Sequence, residues 1–337
     1  MSEKPDLRFA RSRINPSGGF DLIEDFEKNH QIRPFTAHPE NAKTRYRVGP
    51  KLQGRLERLA RARFDIRKLT MQDIETWRTA TTEPSLELAQ SVNASSEIEN
   101  EHIRAEELSL VLAAVTESED KVKTRELSQR ALAVKSIYET YLWALTLDRR
   151  TYIDFDLVLE LHSRMFLSTK ADVAGRLKTK EVSIRGAGYN VSTLPASQVP
   201  EYLRVLCTST NDRLTQAAKH AEESMLLITA EFILDFLAIH PFEDGNGRTA
   251  RLLSTYLLER SGYHFARFYP LDSIILETRG EYYEALFYSQ FDWWGKSEDL
   301  TPWVEYYVNA VYSQYLRAYQ RVRDKYSNEL IDHPGHA

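Results

Sequence analysis

The segment from residue 224 to residue 260 constrains the fold most strongly. Residues 224–239 are apolar at nearly every position, which predicts a helix that is buried on all sides. A helical pattern with Leu252, Leu253 and Leu257 follows from 249 to 260. Between the two helices lies a loop with the sequence His-Pro-Phe-Glu-Asp-Gly-Asn-Gly-Arg-Thr-Ala-Arg, from His240 to Arg251. This arrangement predicts a helical fold that holds a polar loop against a buried helix.

The residue types of the loop suit a phosphate chain and its metal. Gly245 and Gly247 fall at the start of the second helix, where backbone amides without helical partners can approach an anion. Arg248 and Arg251 are three positions apart, so both can contact one phosphate chain. Asp244 supplies the oxygen ligands that Mg²⁺ prefers. These types together predict a site for a phosphate chain and its metal.

The loop also offers a proton acceptor and an amide donor. His240 can accept a proton near neutral pH if its pKa stays close to ~6.5, and Asn246 can add a side-chain donor. Singly, these residues have simpler interpretations. A histidine before proline is usually a capping or solvent-facing group, Asp-Gly-Asn-Gly is usually a turn, and Phe242 is a core residue. Only the combination indicates a site.

The loop resembles the signature of the Fic family, His-Pro-Phe-x-[Asp/Glu]-Gly-Asn-Gly-Arg-x-x-Arg, and fills every fixed position of it. The resemblance implies a mainly α fold, a Fic-type helical bundle with one small β-hairpin called the flap. It also implies a protein adenylyltransferase, which transfers AMP from ATP to a Ser, Thr or Tyr hydroxyl. The implied partner is a target protein that carries this hydroxyl, or the protein itself.

The same resemblance assigns roles within the loop. His240 would deprotonate the hydroxyl, and Asp244 would hold Mg²⁺, or Mn²⁺, between the α- and β-phosphates. Arg248 would contact the β-phosphate and Arg251 the γ-phosphate. The nucleotide-binding residues that it implies are Asp244, Gly245, Asn246, Gly247, Arg248, Thr249, Ala250 and Arg251.

An upstream segment resembles the family's inhibitory motif, [Ser/Thr]-x-x-x-Glu-[Gly/Asn]. Ser95, Glu99 and Asn100 fill its fixed positions, within a plausible helix at about 85–100. The resemblance implies that Glu99 pairs with Arg251 and competes with the γ-phosphate for its guanidinium. Alone, such a hexamer is usually a solvated helix face.

A hairpin pattern lies between the two motifs. Apolar residues alternate at Val182 and Ile184, and Gly186-Ala-Gly188 follows as a turn before Tyr189. By itself this pattern indicates a surface hairpin. It resembles the family's flap, which aligns an extended target segment by strand addition. The resemblance makes Val182, Ser183, Ile184 and Arg185 the target-binding residues.

A downstream segment from 279 to 286 resembles the family's Tyr-Tyr-x-x-Leu helix. The register of this helix suggests that Tyr283 stacks on adenine and that Gln290, two turns later, faces the base. Tyrosines at helical spacing are just as often core residues.

The whole chain has the composition of a soluble enzyme. Its formal net charge of −5 over 337 residues gives no electrostatic argument for nucleic acid. A single cysteine, Cys207, fits a reducing compartment, and no apolar run is long enough for a membrane span. These features predict a cytoplasmic protein without nucleic-acid or membrane partners. A homodimer would suit an inhibition that depends on a mobile helix.

The expected organisation has four parts, set by composition, by helical periodicity and by the extent of the resemblance. They are a partly ordered N-terminal arm (1–50), a helical region with the inhibitory helix (51–170), a Fic catalytic core with the flap (171–310), and a C-terminal helix and tail (311–337).

Two other functions fit the same residues. Some relatives with the inhibitory glutamate use it to orient water and remove AMP from a modified protein, which would make Glu99 catalytic. Alternatively, the chain is a partner-binding protein with a latent nucleotide site, and a His240→Ala variant would then behave as the wild type in every nucleotide assay.

Overall fold

The fold is that of a computed structural model. It describes residues 32–35, 44–68, 86–116, 127–147, 152–186, 189–220, 224–267, 269–290, 293 and 299–332. Within these ranges the chain is mainly helical, as the sequence predicts. The expected helix from Met71 to Thr79 lies outside them.

The helices are numbered in chain order. They are α1 (Pro50–Lys68), α2 (Leu86–Ile98), α3 (Ala105–Thr116), α4 (Gln129–Thr146), α5 (Phe155–Phe166), α6 (Val199–His220), α7 (Met225–Ile239), α8 (Asn246–Arg260), α9 (Asp272–Glu277), α10 (Arg279–Gln290) and α11 (Thr301–Asp332). Short 3-10 turns at Ala196–Gln198 and His264–Arg267 lead into the elements that follow them.

Side-chain caps fix where two helices begin. The Ser128 hydroxyl accepts a hydrogen bond from the Ala131 amide at 3.1 Å and starts α4. The Asp154 carboxylate accepts one from the Leu157 amide at 2.7 Å and starts α5. Each cap satisfies an amide that lacks a helical partner. The α5 cap matters for the site because α5 carries a histidine that contacts the polar loop.

The helix α7 is the centre of the fold. Each of its residues is buried, and it packs against α6, α8 and α11. The expectation of a helix buried on all sides is confirmed. The helix α2, which carries the expected inhibitory motif, packs on α9, α4 and α8. One continuous core joins residues from Tyr46 to Ala318.

Two antiparallel strand pairs accompany the helices. The expected hairpin is β3 (Ser183–Gly186) and β4 (Tyr189–Ser192), with Ile184 opposite Val191. A second pair, β1 (Ile32–Phe35) and β2 (Thr44–Arg47), lies within the segment for which the sequence suggests an arm. The expectation of a single hairpin therefore missed one pair. The arm is anchored at its end, because Tyr46 and Val48 are buried in the core and the Arg47 amide donates to the Thr301 hydroxyl at 2.8 Å.

Two features concern the helix boundaries. The helix α11 spans the expected helix at 302–326, and the division expected between residues 310 and 311 falls within it. The short helix α9 was not anticipated, because six residues are too few to show a helical period. Within the described ranges, no helix combines the length and the apolar character that crossing a membrane requires.

Candidate active site

His240 ends helix α7 in a left-handed backbone conformation. Its φ is 53° and ψ is 62°, which is uncommon for a residue other than glycine, asparagine or aspartate. The left-handed turn closes the helix, with the His240 amide donating to the Phe236 carbonyl at 2.9 Å. The unusual backbone position is the kind of local strain that collects at functional sites.

The ring of His240 has a defined tautomer. Its Nδ1 lies 3.3 Å from the Leu237 carbonyl oxygen, which can only accept, so Nδ1 carries the hydrogen. The Nε2 atom of the neutral ring is therefore free of hydrogen and can take a proton. Burial, and after it the positive charge of Lys178, lower the pKa of His240 to about 4. The ring is thus neutral at physiological pH.

The asparagine of the loop closes the loop on itself. The Asn246 amide group donates to the Phe242 carbonyl at 2.9 Å and accepts from the Phe242 amide at 3.0 Å. Asn246 is 2% exposed and Phe242 is fully buried. This reciprocal pair fixes the entry to α8. The amide has one more hydrogen, so the expected contact with the α-phosphate stays a prediction.

Gly245 is placed where only glycine fits. Its φ is 82°, and an added Cβ would lie 2.4 Å from the Phe166 ring and 3.1 Å from His162 Nε2. It is the residue before α8, and its carbonyl accepts from both the amide and the hydroxyl of Thr249, each at 2.9 Å. Thr249 and Ala250, both expected near nucleotide, are completely buried in the first turn of α8.

His162 supports the loop from beneath. Its Nδ1 accepts from the Gly175 amide at 2.9 Å, which leaves the hydrogen on Nε2, and Nε2 donates to the Asp244 carbonyl at 3.0 Å. The ring is fully buried and stacks on Phe242, with centroids 3.7 Å apart. Burial lowers the pKa of His162 to about 4. A neutral histidine with both nitrogens engaged therefore holds the backbone at Asp244.

The inhibitory motif contacts Arg251, as the resemblance implies. Arg251 Nε donates to the Ser95 hydroxyl at 2.8 Å, and one terminal nitrogen donates to the Ser95 carbonyl at 2.9 Å and to Glu99 Oε1 at 3.0 Å. Arg251 is 2% exposed. The other terminal nitrogen has no partner among the described residues. The guanidinium is therefore held mainly by helix α2.

Arg251 has a second carboxylate partner that the sequence did not reveal. Asp272, at the start of α9, lies 3.2 Å from Arg251 Nε and is fully buried. The hydroxyl of Tyr141 donates to Asp272 Oδ2 at 3.2 Å. Burial raises the pKa of Asp272, while Arg251 and the hydrogen bonds oppose that rise. Asp272 thus contacts Arg251 at Nε, whereas Glu99 contacts a terminal nitrogen.

Asn100 explains the geometry of the inhibitory motif. Its φ is 61°, and it ends α2 with the Asn100 amide donating to the Glu97 carbonyl at 2.9 Å and the Glu101 amide donating to the Ser96 carbonyl at 2.8 Å. This pair of bonds is a Schellman cap, which needs a residue that tolerates the left-handed region. Glycine and asparagine are such residues, and the cap fixes the direction of Glu99.

The carboxylate of Glu99 lies on the amino end of α8. A Cβ on Gly247 would be 2.4 Å from Glu99 Oε1, so the close approach requires glycine. The amino end of a helix attracts anions through its free amides and its dipole. Glu99 therefore lies where the sequence predicts a phosphate.

A second charged cluster surrounds Arg248. We call it the Arg248 cluster, and its members are Glu101, Lys170, Asp244 and Arg248. Glu101 accepts from an Arg248 terminal nitrogen through Oε2 and from Lys170 Nζ through Oε1, the latter at 3.0 Å. Lys170 Nζ also donates to Asp244 Oδ2 at 2.6 Å, and Arg248 lies 3.3 Å from Asp244 Oδ1. Two carboxylates and two cations thus form a closed ring.

Charge complementarity sets the protonation states of this cluster. Burial tends to raise the pKa of Glu101 and of Asp244, but the adjacent Arg248 and Lys170 outweigh it and lower both. The pKa of Lys170 is raised, because its two carboxylate partners outweigh its burial. All four side chains are therefore charged at neutral pH.

The donor set fits a metal that is held jointly with a substrate. Among the described residues there is no group of three or more His, Cys, Asp or Glu side chains that could hold a metal alone. Asp244 offers one carboxylate, and its side chain is 44% exposed. Mg²⁺ commonly binds through one or two carboxylates, substrate phosphates and water. The site therefore suits Mg²⁺ that arrives with a nucleotide.

The flap is tied to the loop at its base. The Lys178 amide donates to the Pro241 carbonyl at 2.8 Å, and Leu177 pairs with Phe242 as an isolated bridge. The buried Lys178 ammonium donates to the Thr193 hydroxyl at 2.7 Å and to the Ile239 carbonyl at 3.2 Å. The hairpin is thus fixed next to His240. Val182 lies just before β3, and Ser183, Ile184 and Arg185 lie within it.

The two residues expected to contact the adenine base lie in α10. Tyr283 is half-buried and packs edge-on against Tyr282, with centroids 5.2 Å apart, and Arg279 lies 5.8 Å from its ring centroid. Gln290 is 4% exposed, and its Nε2 has no partner in the described part of the chain. Their contacts with adenine stay predictions.

Sequence reasoning missed several residues that shape the site. They are Glu101, Tyr141, His162, Lys170, Lys178 and Asp272. None occupies a fixed position of a motif. Tyr141 acts through Asp272, and the other five contact the loop from other parts of the chain. For Glu101 a signal was present, since it directly follows the inhibitory motif.

Comparison with known protein families identifies the domain that contains this site. Residues 152–258 match the Fic/DOC family. The chain carries a Fic domain. The matched range includes the loop from His240 to Arg251, the hairpin and His162. The helix α2, with the inhibitory motif, lies outside the matched range.

Several curated relatives carry the name protein adenylyltransferase. The protein adenylyltransferase fic-1 of Caenorhabditis elegans is 30% identical over 179 residues, which are 52% of this chain and 31% of the relative. The protein adenylyltransferase Fic of Nematostella vectensis is 29% identical over 150 residues, which are 43% of this chain and 31% of the relative. The chain thus spans about a third of the length of these relatives.

Solved structures share the fold. A Fic family protein from Desulfovibrio desulfuricans superposes with a TM-score of 0.58 at 23% identity, covering 79% of this chain and 74% of that protein. Residues 134–508 of Fic-1 from C. elegans superpose with a TM-score of 0.58 at 22% identity, covering 81% and 73%. The helical bundle with a flap is therefore confirmed as a Fic fold.

Proposed function

We propose that this protein is an adenylyltransferase that transfers AMP from ATP to a hydroxyl of a target protein and is inhibited by its own Glu99. The observation that carries the proposal is the position of Glu99, whose carboxylate contacts Arg251 at 3.0 Å and lies against Gly247. The names of the curated relatives support the reaction class.

The proposed base is His240. Its neutral ring has the hydrogen on Nδ1, where the Leu237 carbonyl accepts it at 3.3 Å, so Nε2 can accept the proton of a target hydroxyl. A pKa of about 4 makes His240 a weak base in the absence of nucleotide. The negative charge of bound phosphates would raise that pKa towards the useful range.

The proposed phosphate site is the amino end of α8. The backbone amides after Gly245 and the guanidinium groups of Arg248 and Arg251 all face this end of the helix. Fixed positive groups of this kind orient a triphosphate and stabilise the charge that develops during attack on the α-phosphorus. Asp244 would hold Mg²⁺ or Mn²⁺, and the ion would supply positive charge to the leaving pyrophosphate.

The proposed inhibition is direct competition. A γ-phosphate needs the guanidinium of Arg251, which Glu99 now engages, and the phosphate chain needs the space over Gly247 that the Glu99 carboxylate fills. A nucleotide that enters beside Glu99 would be displaced from the line of attack. Position and orientation account for a large part of catalysis in such reactions, so this displacement suffices to lower the rate.

The proposed target site is the edge of the flap. The strand β3 pairs on one side with β4, so its other edge can bind an extended segment through main-chain hydrogen bonds. The base of the flap is fixed to the residues beside His240 by the Lys178 contacts. A hydroxyl on the bound segment would thus reach His240, the proposed catalytic base. A protein target, including the chain itself, fits this surface.

The test compares AMP incorporation from ATP that is labelled at the α-phosphate. We expect weak labelling of protein by the wild type and roughly tenfold stronger labelling by Glu99→Gly, the effect of removing ~1.4 kcal/mol of competition. The double variant Glu99→Gly with His240→Ala should incorporate no label. Each reaction contains Mg²⁺ and cell lysate as a source of targets.

The control is Glu97→Gly. It introduces the same flexible residue into the last turn of α2 and leaves the contact between Glu99 and Arg251 in place. It should label as weakly as the wild type. Equal labelling by both glycine variants would mean that a loosened helix, and not the lost carboxylate, activates the enzyme. No label with Glu99→Gly would contradict the proposed transfer.

The reverse reaction is a second candidate. The charge of Glu99 acts on both Arg251 and His240, so its carboxylate lies near the base as well as near the phosphate site. A carboxylate there can orient water for the removal of AMP from a modified protein. In that case Glu99→Gly would abolish the release of AMP from a protein labelled beforehand, whereas a purely inhibitory Glu99 leaves that release unaffected.

A further inference from the structure

Glu101 makes contacts that parallel those of Glu99. It is two residues further along the chain, and its side chain is 36% exposed. Its two oxygens accept from Arg248 and from Lys170, which are the cations of the Arg248 cluster. Glu99 engages the second arginine of the loop and Glu101 engages the first. One short segment after α2 thus contacts both arginines.

The backbone makes these two contacts a single unit. The Glu101 amide donates to the Ser96 carbonyl at 2.8 Å, and Asn100 between the two glutamates has a φ of 61°. These are parts of the Schellman cap that ends α2. A movement of this cap displaces both carboxylates together.

The partners of Glu101 belong to the proposed phosphate and metal site. Arg248 is 2% exposed, and its Nε has no partner among the described residues. Lys170 also contacts Asp244, at 2.6 Å. In the conformation with Glu101 bound, the charges of Arg248 and Lys170 are neutralised by two carboxylates. A polyphosphate must then exchange with Glu101 to obtain them.

We propose that Glu101 is a second inhibitory carboxylate, which withholds Arg248 and Lys170 from the nucleotide as Glu99 withholds Arg251. This inference rests on the proposed nucleotide site, in which Arg248 serves the β-phosphate and Arg251 the γ-phosphate. Each glutamate thus competes with a different phosphate. Both weaken the binding of ATP, and their effects add, whereas only Glu101 weakens the binding of ADP.

The experiment measures the binding of AMP, ADP and ATP by calorimetry. All proteins carry His240→Ala, which prevents turnover. The variants in this background are Glu99→Gln, Glu101→Gln and the pair. The control is Glu97→Gln, which removes the same charge from a helix position outside both groups of contacts.

The three nucleotides separate the two glutamates. We expect Glu101→Gln to lower the dissociation constants of ADP and ATP roughly threefold to tenfold and to leave that of AMP unchanged. This is the range for a charge-assisted contact that is partly exposed. Glu99→Gln should tighten the binding of ATP and leave the binding of ADP unchanged. The pair should combine both effects on ATP, and Glu97→Gln should bind all three nucleotides as the parent protein does.

Two results would overturn the inference. One is that Glu101→Gln binds ADP no more tightly than the parent protein does. The other is that Glu101→Gln binds AMP more tightly by the same factor as ADP. Melting curves check that each variant is folded. A second variant, Glu101→Asp, keeps the charge but is too short to reach both cations, so it should also tighten ADP. The transfer assay is separate: if Glu99→Gly transfers no AMP while Glu101→Gln still tightens ADP, the proposed reaction is wrong and the role of Glu101 stands.

Discussion

Acidification should destabilise this protein through the buried ring of His162. Its Nδ1 accepts from the Gly175 amide at 2.9 Å and its Nε2 donates to the Asp244 carbonyl at 3.0 Å. Protonation places a hydrogen on both nitrogens, so the bond from Gly175 must break. Burial is the main cost of the positive charge; Asp244 opposes this cost, and Arg248 adds a smaller repulsion.

The magnitude follows from the pKa of His162, which burial lowers to about 4 from about 6.5 in the unfolded chain. Between these values the unfolded state binds more protons than the folded state, so the free energy of unfolding falls as pH falls. Integration from pH 7 to pH 5 gives a loss of about 2 kcal/mol for this one group. The contribution of His162 to the free energy of unfolding is fully present above about pH 6.5.

The assay is urea denaturation at pH 7 and at pH 5, for the wild type and for His162→Asn. The variant should be less stable at pH 7, because it loses the packing on Phe242, but its additional loss at pH 5 should be smaller by about 2 kcal/mol. His240→Asn should show a similar reduction, since its pKa is also lowered to about 4. His102→Asn is the control, because His102 is exposed in the folded chain. An equal pH effect in His162→Asn and the wild type would refute the reasoning.

Three further predictions concern the loop and Arg251. Gly245→Ala should cost at least about 2 kcal/mol of stability in thermal melting, because the new Cβ would lie 2.4 Å from an aromatic ring at a residue with a φ of 82°. The control is Gly280→Ala in helix α10, where a Cβ would meet nothing within 4 Å, and this variant should be as stable as the wild type or more stable. Asp272→Asn should cost about 2–3 kcal/mol in denaturant titration, because Arg251 loses a buried partner; no loss would exclude that role. The rate of AMP transfer by Glu99→Gly should be constant above the pKa of His240 with nucleotide bound and should fall below it, and a rate that rises on acidification would exclude this base.

The loop and its inhibitory contact could be predicted because they are local. The order of residues from His240 to Arg251 fixes a helix end, a turn and a helix start, and each residue type has a specific function there. The contact between Glu99 and Arg251 spans 152 positions. It was predictable only because both residues belong to motifs that resemble those of one family.

The supporting residues could not be predicted from the sequence. Asp272 contacts Arg251 from a helix of six residues, and His162 contacts Asp244 across 82 positions. Histidine, lysine and aspartate are common on helix surfaces, so nothing in the local sequence marks these as buried partners. Their role depends on tertiary packing. The strand pair β1 and β2 was missed for a related reason: each strand has only four residues, too few to show clear alternation, and β1 contains proline.

The position of Asp272 bears on how readily the inhibition is released. Ser95 and Glu99 both leave Arg251 if the end of α2 moves, but Asp272 lies on α9 and stays 3.2 Å from Nε. The buried guanidinium therefore keeps a charged partner and does not bear the full cost of an unpaired charge. Release then breaks the ion pair with Glu99, whose carboxylate is 33% exposed and whose loss costs about 1 kcal/mol or less, together with the two hydrogen bonds to Ser95. A γ-phosphate, with its greater charge, can exchange with such a carboxylate. The strength of the proposed inhibition should consequently lie in the space over Gly247 that the Glu99 carboxylate fills as well as in the ion pair.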